Sequence, residues 1–216
     1  MKKLVIVLVI VVLAVLVVRA LPGGEVVTVE PQEYTVRVSN ISDTQPLAPG
    51  VFVVHTKEAS LDYSGSLAPA ALESLAEYGS NTAFAEYIAT QDGIVNVYTI
   101  DAPILPGEEA TLTIDSTTDA FYFSGVMMAV GSNDGYALVD SIALNGGNRK
   151  VLAENYDNGT EENTELLSGF AGGQPDPSRG EANIENGTAT DPQAEVSDHD
   201  QLLEAIMEVT VTAVAL

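Results

Sequence analysis

Alternating apolar and polar positions mark several stretches of this chain as strands with one buried face. The pattern is clearest from Tyr34 to Ser39 and again from Met207 to Ala213. Similar stretches recur about every ten residues with turn residues between them, a spacing typical of a β-sandwich or barrel. The predicted strands are 34–39, 51–55, 94–98, 110–114, 121–130, 150–153 and 207–213. We expect the last of them to pair with the first.

Two short stretches between the second and third strands have helical spacing instead. Pro69 stands near the start of the first stretch, Leu72 and Leu75 follow at helical spacing, and Gly79 lies just past its end. Asn81 is placed to cap a second helix. We expect the two helices to form a crossover that lies on one edge of the sandwich.

The first twenty residues are typical of an export signal. A basic start precedes an unbroken apolar run from Leu4 to Val18, and cleavage is expected after Ala20. The run is shorter than the roughly 20 residues that a membrane-spanning helix needs, and an uncleaved anchor is the alternative. The predicted organisation is therefore a signal peptide or anchor at 1–20, a linker at 21–32 and one domain at 33–216. We expect the protein outside the cell or on its surface.

Charge and composition exclude several classes of function. The chain has 31 acidic residues against 8 basic ones, a net charge of −23 and no cysteine. Such a charge argues against nucleic acid and against anionic membrane surfaces as partners. The absence of cysteine rules out disulfides and thiol nucleophiles, and two histidines do not make a typical zinc site. No phosphate loop or serine-nucleophile motif is present, so we predict no enzyme, with a carboxylate-pair hydrolase as the weakest alternative.

Two acidic loops contain the residues that are best suited to bind a metal ion. The strand at 121–130 runs into Gly131–Tyr136, which contains Asp134, and a second loop at Tyr156–Glu161 contains Asp157 and Glu161. Calcium takes roughly 6–8 oxygen ligands from carboxylates, carbonyls and water in irregular geometry, which loops of Asp, Asn and Gly can supply. The alternative is a pair of solvated acidic turns between strands.

The order and spacing of these segments resemble the spondin domain, which occurs in F-spondin and in many prokaryotic secreted proteins. The resemblance covers about residues 33–214. It rests on the strand that ends in Ser-Asn-Asp (132–134), the later Tyr-Asp-Asn-Gly-Thr-Glu loop (156–161), and the helix Ala68–Gly79 with the two strands before it.

The resemblance implies a C2-like antiparallel β-sandwich with one or two short crossover helices. It also implies a calcium ion (Ca2+) held at one end, with Asp134, Asp157 and Glu161 at the positions of the family's metal carboxylates. The chain departs from the family pattern in four ways. Gly135 replaces the usual aromatic residue, with Tyr136 one place later, and Glu161 stands where the animal protein has aspartate. Tyr156 replaces the loop tryptophan, and the disulfides of animal members are absent.

From these observations we expect a secreted or surface-anchored calcium-binding module for adhesion or matrix association, with an unknown extracellular protein or glycan as partner. The alternative is a homo-oligomeric subunit of an extracellular filament or surface layer. Three sequons, at Asn40, Asn158 and Asn186, are possible glycan sites. We expect His55 to be a hydrogen-bonded structural residue, and His199, in the acidic stretch 154–204, to be solvated.

Overall fold

Two antiparallel β-sheets pack face to face, and two helices cover the outer face of the larger sheet. The computed structural model describes residues 32–117, 120–145, 147–160, 194–200 and 202–214. The predicted signal or anchor at 1–20 and nearly all of the linker lie outside these residues. The predicted antiparallel β-sandwich with two short helices is confirmed.

The elements are, in chain order, β1 (Glu33–Asn40), β2 (Leu47–His55), α1 (Ala70–Tyr78), α2 (Asn81–Ile88), β3 (Ile94–Ile100), β4 (Glu109–Asp115), β5 (Tyr122–Ala129), β6 (Gly135–Ala143), β7 (Arg149–Leu152), β8 (Glu154–Asp157), β9 (Ser197–Asp198) and β10 (Met207–Ala213).

The smaller sheet has the order β4-β1-β10-β7. The first and last strands pair as predicted, with Val36 opposite Val211. Tyr34, Val36 and Val38 turn inward and are buried, while the alternate residues of β1 face outward. The alternation of apolar and polar residues in the sequence therefore indicates a sheet with one buried face.

The larger sheet has the order β3-β2-β5-β6-β8-β9. Its central strands β2 and β5 are buried on both faces, which is why they read as nearly continuous apolar runs. Phe52 and Phe123 stack in the core between the sheets, with ring centroids 5.9 Å apart. Val51 and Val53 point the opposite way, into a second core beneath the helices.

The predicted placement of the helices on one edge is wrong, because α1 and α2 lie across the outer face of the larger sheet. Leu72 and Leu75 of α1, with Phe84 of α2, belong to the core cluster that this face forms. Burying both faces of β2 and β5 requires such a cover. No helix within the described residues is long and apolar enough to cross a membrane.

The acidic stretch 154–204 is ordered at both of its described ends. Strand β8 pairs with β6, and β9 pairs with β8, so both extend the larger sheet. Tyr156 and Val196 provide the buried apolar contacts that hold these ends. At its described ends, the acidic stretch therefore belongs to the larger sheet and is not a loop.

Candidate metal centre

A tight turn between β5 and β6 presents Asp134. The Ser132 hydroxyl donates to the Ala129 carbonyl (2.6 Å) and accepts the Gly135 N–H (2.9 Å). The Gly131 N–H donates to Oε1 of Gln45 (2.5 Å), which anchors the start of the turn. These bonds place the Asp134 carboxylate, which is fully buried, directly before β6.

The pairing of β6 with β8 brings the two predicted acidic loops together. Gly135 stands opposite Asp157 in the ladder, and the Asn158 N–H donates to the Asp134 carbonyl (3.2 Å). Thr160 donates its N–H to Oδ2 of Asp134 (2.8 Å), and its hydroxyl lies 3.2 Å from the same oxygen. Asp134 and the 157–160 loop thus form one site at an end of the larger sheet. Glu161 lies outside the described residues.

A local turn shapes the second loop. Oδ1 of Asp157 accepts the Gly159 N–H (2.7 Å), and Gly159 has a φ of +73°. A Cβ at Gly159 would also stand 2.7 Å from the Ala194 carbonyl oxygen. Glycine is needed here both for the backbone conformation and for the close approach of residue 194.

The Asn158 side chain is completely buried beside Asp134. Its Nδ2 donates to the Thr160 hydroxyl (3.1 Å), the group that contacts the Asp134 carboxylate. Its Oδ1 has no hydrogen-bond partner among the described residues. A buried amide oxygen without a donor costs about 1–3 kcal/mol, and a hard cation would satisfy it. The residues present therefore fit a cation at this site.

Burial also bears on the predicted glycan sites. Asn158 is inaccessible, and Nδ2 of Asn40 donates to the carbonyls of Gln45 and Ile104, both at 2.8 Å, within a buried environment. Neither side chain can carry a glycan in the folded protein. Asn186 lies outside the described residues.

Glu77 of α1 is a buried carboxylate that the sequence analysis did not single out. It is only 5% exposed. Burial raises the pKa of the Glu77 carboxyl, and the nearby charge of Glu73 raises it further, while hydrogen bonds with Thr160 and Tyr78 act in the opposite direction. Helical spacing identifies Leu72 and the other apolar residues of α1 as inward-facing but does not separate Glu77 from Glu73, the half-buried second acid of the helix.

The prediction that His199 is solvated is wrong. The residue is 3% exposed, and its Nδ1 accepts the Leu202 N–H (3.2 Å). Burial lowers the pKa of His199, although the charges of Asp157 and Asp200 oppose the shift. A Cβ at Gly135 would lie 2.6 Å from Cδ2 of this ring. The glycine that departs from the spondin pattern therefore makes room for the imidazole.

The described residues do not form a complete metal shell. Among residues 32–160 and 194–214, apart from the short gaps, no group of three or more His, Asp or Glu side chains is arranged to hold a metal ion. Asp134 and the Oδ1 of Asn158 are oxygen donors at the site, whereas Oδ1 of Asp157 accepts the Gly159 N–H in the adjacent turn. The rest of a shell of roughly 6–8 ligands would come from carbonyls, water and further carboxylates.

A second polar cluster joins the buried His55 and Ser124 to the half-buried Asp140. Nε2 of His55 lies 2.8 Å from the Ser124 hydroxyl, which lies 2.8 Å from Oδ1 of Asp140. His55 is fully buried, and its Nδ1 contacts the Thr56 carbonyl at 2.7 Å, so its predicted hydrogen-bonded role is confirmed. The serine stands between histidine and aspartate and is itself buried. A catalytic triad instead has the histidine in the middle and an accessible serine.

Comparison with known proteins adds no assignment. No family model matches the chain, and no curated protein is significantly similar to it in sequence. The spondin resemblance and the calcium site are therefore proposals that rest on the residues described above.

Proposed function

We propose that this protein is a spondin-like, calcium-binding β-sandwich module that is secreted or anchored at the cell surface. There it serves adhesion or matrix association with an extracellular protein or glycan. One observation carries the proposal: Asp134 and the 157–160 loop meet at a buried site where the Asn158 amide oxygen lacks a hydrogen-bond donor among the described residues.

The donor chemistry favours calcium over other metals. The proposed ligands are the carboxylates of Asp134 and Asp157 and the amide oxygen of Asn158, with Glu161 directly after the loop in the sequence. Hard oxygen donors of mixed charge suit calcium, whereas zinc sites are built mainly from cysteine and histidine. Calcium also tolerates the irregular geometry of two loops.

A bound ion would act as a cross-link between two parts of the larger sheet. It would join the turn before β6 to the loop after β8 and offset the repulsion among their carboxylates. The unfolded chain has no preformed site, so the binding energy would add to folding stability. Extracellular modules of this kind bind calcium with a Kd of about 10⁻⁴–10⁻³ M.

The proposal is tested by the melting temperature of the full chain in calcium and in excess chelator. At a calcium concentration of about 100 Kd, the ion adds about 2.7 kcal/mol. At about 2–4 °C per kcal/mol for a domain of this size, the melting temperature should rise by about 5–11 °C. Asp134→Asn should abolish the rise, and the exposed acid Asp43 provides a charge-matched control, Asp43→Asn.

Terbium gives an independent readout. The chain has no tryptophan, and Tyr136 and Tyr156, which stack with ring centroids 5.7 Å apart, flank the site. Terbium bound there should luminesce when tyrosine is excited, and calcium should displace it. The proposal fails if chelator leaves the melting temperature unchanged, or if Asp134→Asn retains the calcium response.

A further inference from the structure

The edges of the two sheets differ in how well they are protected against pairing with another chain. An edge strand presents unpaired N–H and C=O groups, and natural proteins protect such edges with short strands, charges, proline or bulges. The edges of the smaller sheet are β4 and β7, and those of the larger sheet are β3 and β9. β9 has two residues, and β7 has four, which include Arg149 and Lys150. β4 has an acid at each end, Glu109 and Asp115, so three of the four described edges are protected.

Strand β3 is the exception. Its seven residues, Ile94–Ile100, contain no charge and no proline, although the chain has a net charge of −23. All of them except Asn96 are β-branched or aromatic, the residue types that favour strands. The apolar side chain of Val95 is 45% exposed. A segment of this length and composition at a sheet edge is typical of strands that pair with another chain.

The outer edge of β3 is open over most of its length. At its two ends, the Ile94 N–H donates to the Gln91 carbonyl (3.3 Å), and Nδ2 of Asn81 donates to the Ile100 carbonyl (3.4 Å). From Val95 to Thr99, the described residues offer the backbone no hydrogen-bond partner apart from β2. Every second residue of a paired strand turns its N–H and C=O away from its neighbour. This stretch can therefore accept a further strand.

We infer that β3 pairs antiparallel with β3 of a second copy of this chain, so that the larger sheets of two molecules join into one. If the pair is centred on Val97, Val97 stands opposite Val97 of the second copy, and Val95 stands opposite Thr99. These three residues share one face of the strand, because side chains alternate between faces. Each contact occurs twice across the two-fold axis, and the exposed Val95 is covered in both copies.

Charge favours this pairing over the corresponding pairing of β4. An antiparallel β4 pair centred on Leu112 would place Glu109 opposite Asp115 at both ends, and like charges directly opposite each other destabilise a sheet. In the β3 pair, the flanking acids Asp92 and Asp101 would stand opposite uncharged residues. Two copies that each have a net charge of −23 repel each other, and among the described edges β3 adds least to this repulsion.

Such a dimer is closed. Both molecules use the same edge, so the pairing consumes the open edge and stops at two copies. A contact between β3 of one copy and β4 of the next would instead build an open filament. The inference goes beyond the proposed function and does not depend on it, since three strands of the larger sheet separate β3 from β8 and the calcium loop.

The first experiment is sedimentation velocity of the full chain in chelator, over about 5–500 µM, because dimerisation depends on protomer concentration. The mass should rise from the 22.6 kDa of one chain towards twice that value. Thr99→Glu should raise the dimer Kd by at least about tenfold, because it places a charge against Val95 of the second copy. Thr113→Glu is the matched control, since it makes the same exposed substitution on β4, and it should leave the dimer Kd unchanged.

Cysteine substitutions test the register, because the chain has no cysteine of its own. In a pair centred on Val97, the two Val97 Cα atoms lie about 4.5–5.5 Å apart, which is within disulfide range. Val97→Cys should therefore cross-link two copies on oxidation. Val95→Cys should not, although Val95 is the more exposed residue, because the offset along the strands separates the two Val95 Cα atoms by about 13 Å.

Salt dependence separates this interface from one that is held by ion pairs. Raising the salt to about 1 M shortens the Debye length to about 3 Å and screens the repulsion between the two acidic copies. Dimerisation through the uncharged β3 should then strengthen. An interface built from ion pairs would weaken under the same change, and that result would contradict the inference.

The remaining outcomes are equally decisive. The inference is overturned if the full chain stays monomeric over the concentration range, or if Thr99→Glu associates as the wild type does. Loss of association in Thr113→Glu as well, or growth beyond dimers, would indicate contact between β3 and β4 and would overturn the two-fold pairing. If Thr99→Glu does not keep the wild-type circular dichroism, the two cysteine variants decide the question. None of these results bears on calcium binding, so the two proposals fail or stand separately.

Discussion

Replacing Ser124 with alanine would remove the centre of the polar cluster formed by His55, Ser124 and Asp140. Three contacts meet at the serine hydroxyl: Nε2 of His55, Oδ1 of Asp140 and the N–H of Ser141, each at 2.8 Å. Ser124 is fully buried in β5, at a point where the pairing with β6 is irregular. We predict that this single hydroxyl contributes more to stability than any exposed serine.

The magnitude follows from the groups that lose their partner. Asp140 still accepts the Leu61 N–H and the Ser60 hydroxyl, so its carboxylate remains satisfied. His55 keeps only its contact with the Thr56 carbonyl, and its buried Nε2 is left without a partner. Ser141 is exposed, and water can reach its N–H. Only one buried group is left unsatisfied, so we place the total loss at about 1–3 kcal/mol.

Urea unfolding followed by circular dichroism, in chelator, would measure this loss directly. Ser64→Ala is the control, because the Ser64 side chain is exposed and such substitutions change stability by about 0.5 kcal/mol or less. A loss below about 1 kcal/mol for Ser124→Ala would refute the reasoning. Such a small loss would mean that the three contacts of the Ser124 hydroxyl contribute little to the free energy of unfolding. Alternatively, it would mean that water replaces the hydroxyl with little loss of stability.

Two further substitutions test the packing around the proposed site. Gly135→Ala should cost about 1–3 kcal/mol, because its Cβ would lie 2.5 Å from the Ser132 hydroxyl oxygen and 2.6 Å from the His199 ring. Combining it with His199→Ala should recover part of the loss in a double-mutant cycle, and strictly additive effects would contradict the contact. Tyr136→Phe should be neutral or stabilising by up to about 1 kcal/mol, because the buried Tyr136 hydroxyl has no partner among the described residues. Tyr156→Phe, which loses a 2.8 Å bond to Glu154, should cost about 0.5–1.5 kcal/mol; a larger loss for Tyr136→Phe than for Tyr156→Phe would contradict the assignment.

The wrong predictions share a physical origin. The helices were placed on an edge because helical spacing shows which face of a helix is apolar but not which surface it will cover. The acidic neighbours Asp198 and Asp200 favour a solvated position for His199. The pairing of β8 with β9 carries this residue into the sheet and against Gly135. In both cases the local pattern describes the neighbouring residues correctly, but contacts between distant parts of the chain decide where the helix or the side chain lies.

Part of the candidate site could be predicted from the sequence, and part of it could not. Its two loops were predicted from residue types and from the spondin resemblance, and the structure brings Asp134 next to the 157–160 loop. The burial of Asn158 and of Glu77 was not predicted. Both depend on the packing of α1 and of the chain after β8 against the larger sheet, which no local spacing encodes.

The sequence by itself predicted seven of the ten described strands, through alternating or continuous apolar positions, but it did not predict β6, β8 or β9. It also determined the two short helices and the strong negative charge. Only the tertiary structure decided that Asp134 and Asn158 meet at one buried end of the sheet and that Glu77 is buried. The pairing of β6 with β8 brings Asp134 and Asn158 together, and the packing of α1 on the outer face of the larger sheet buries Glu77. A short stretch of sequence specifies its own buried face, whereas the partner of that face is selected by the packing of the whole fold.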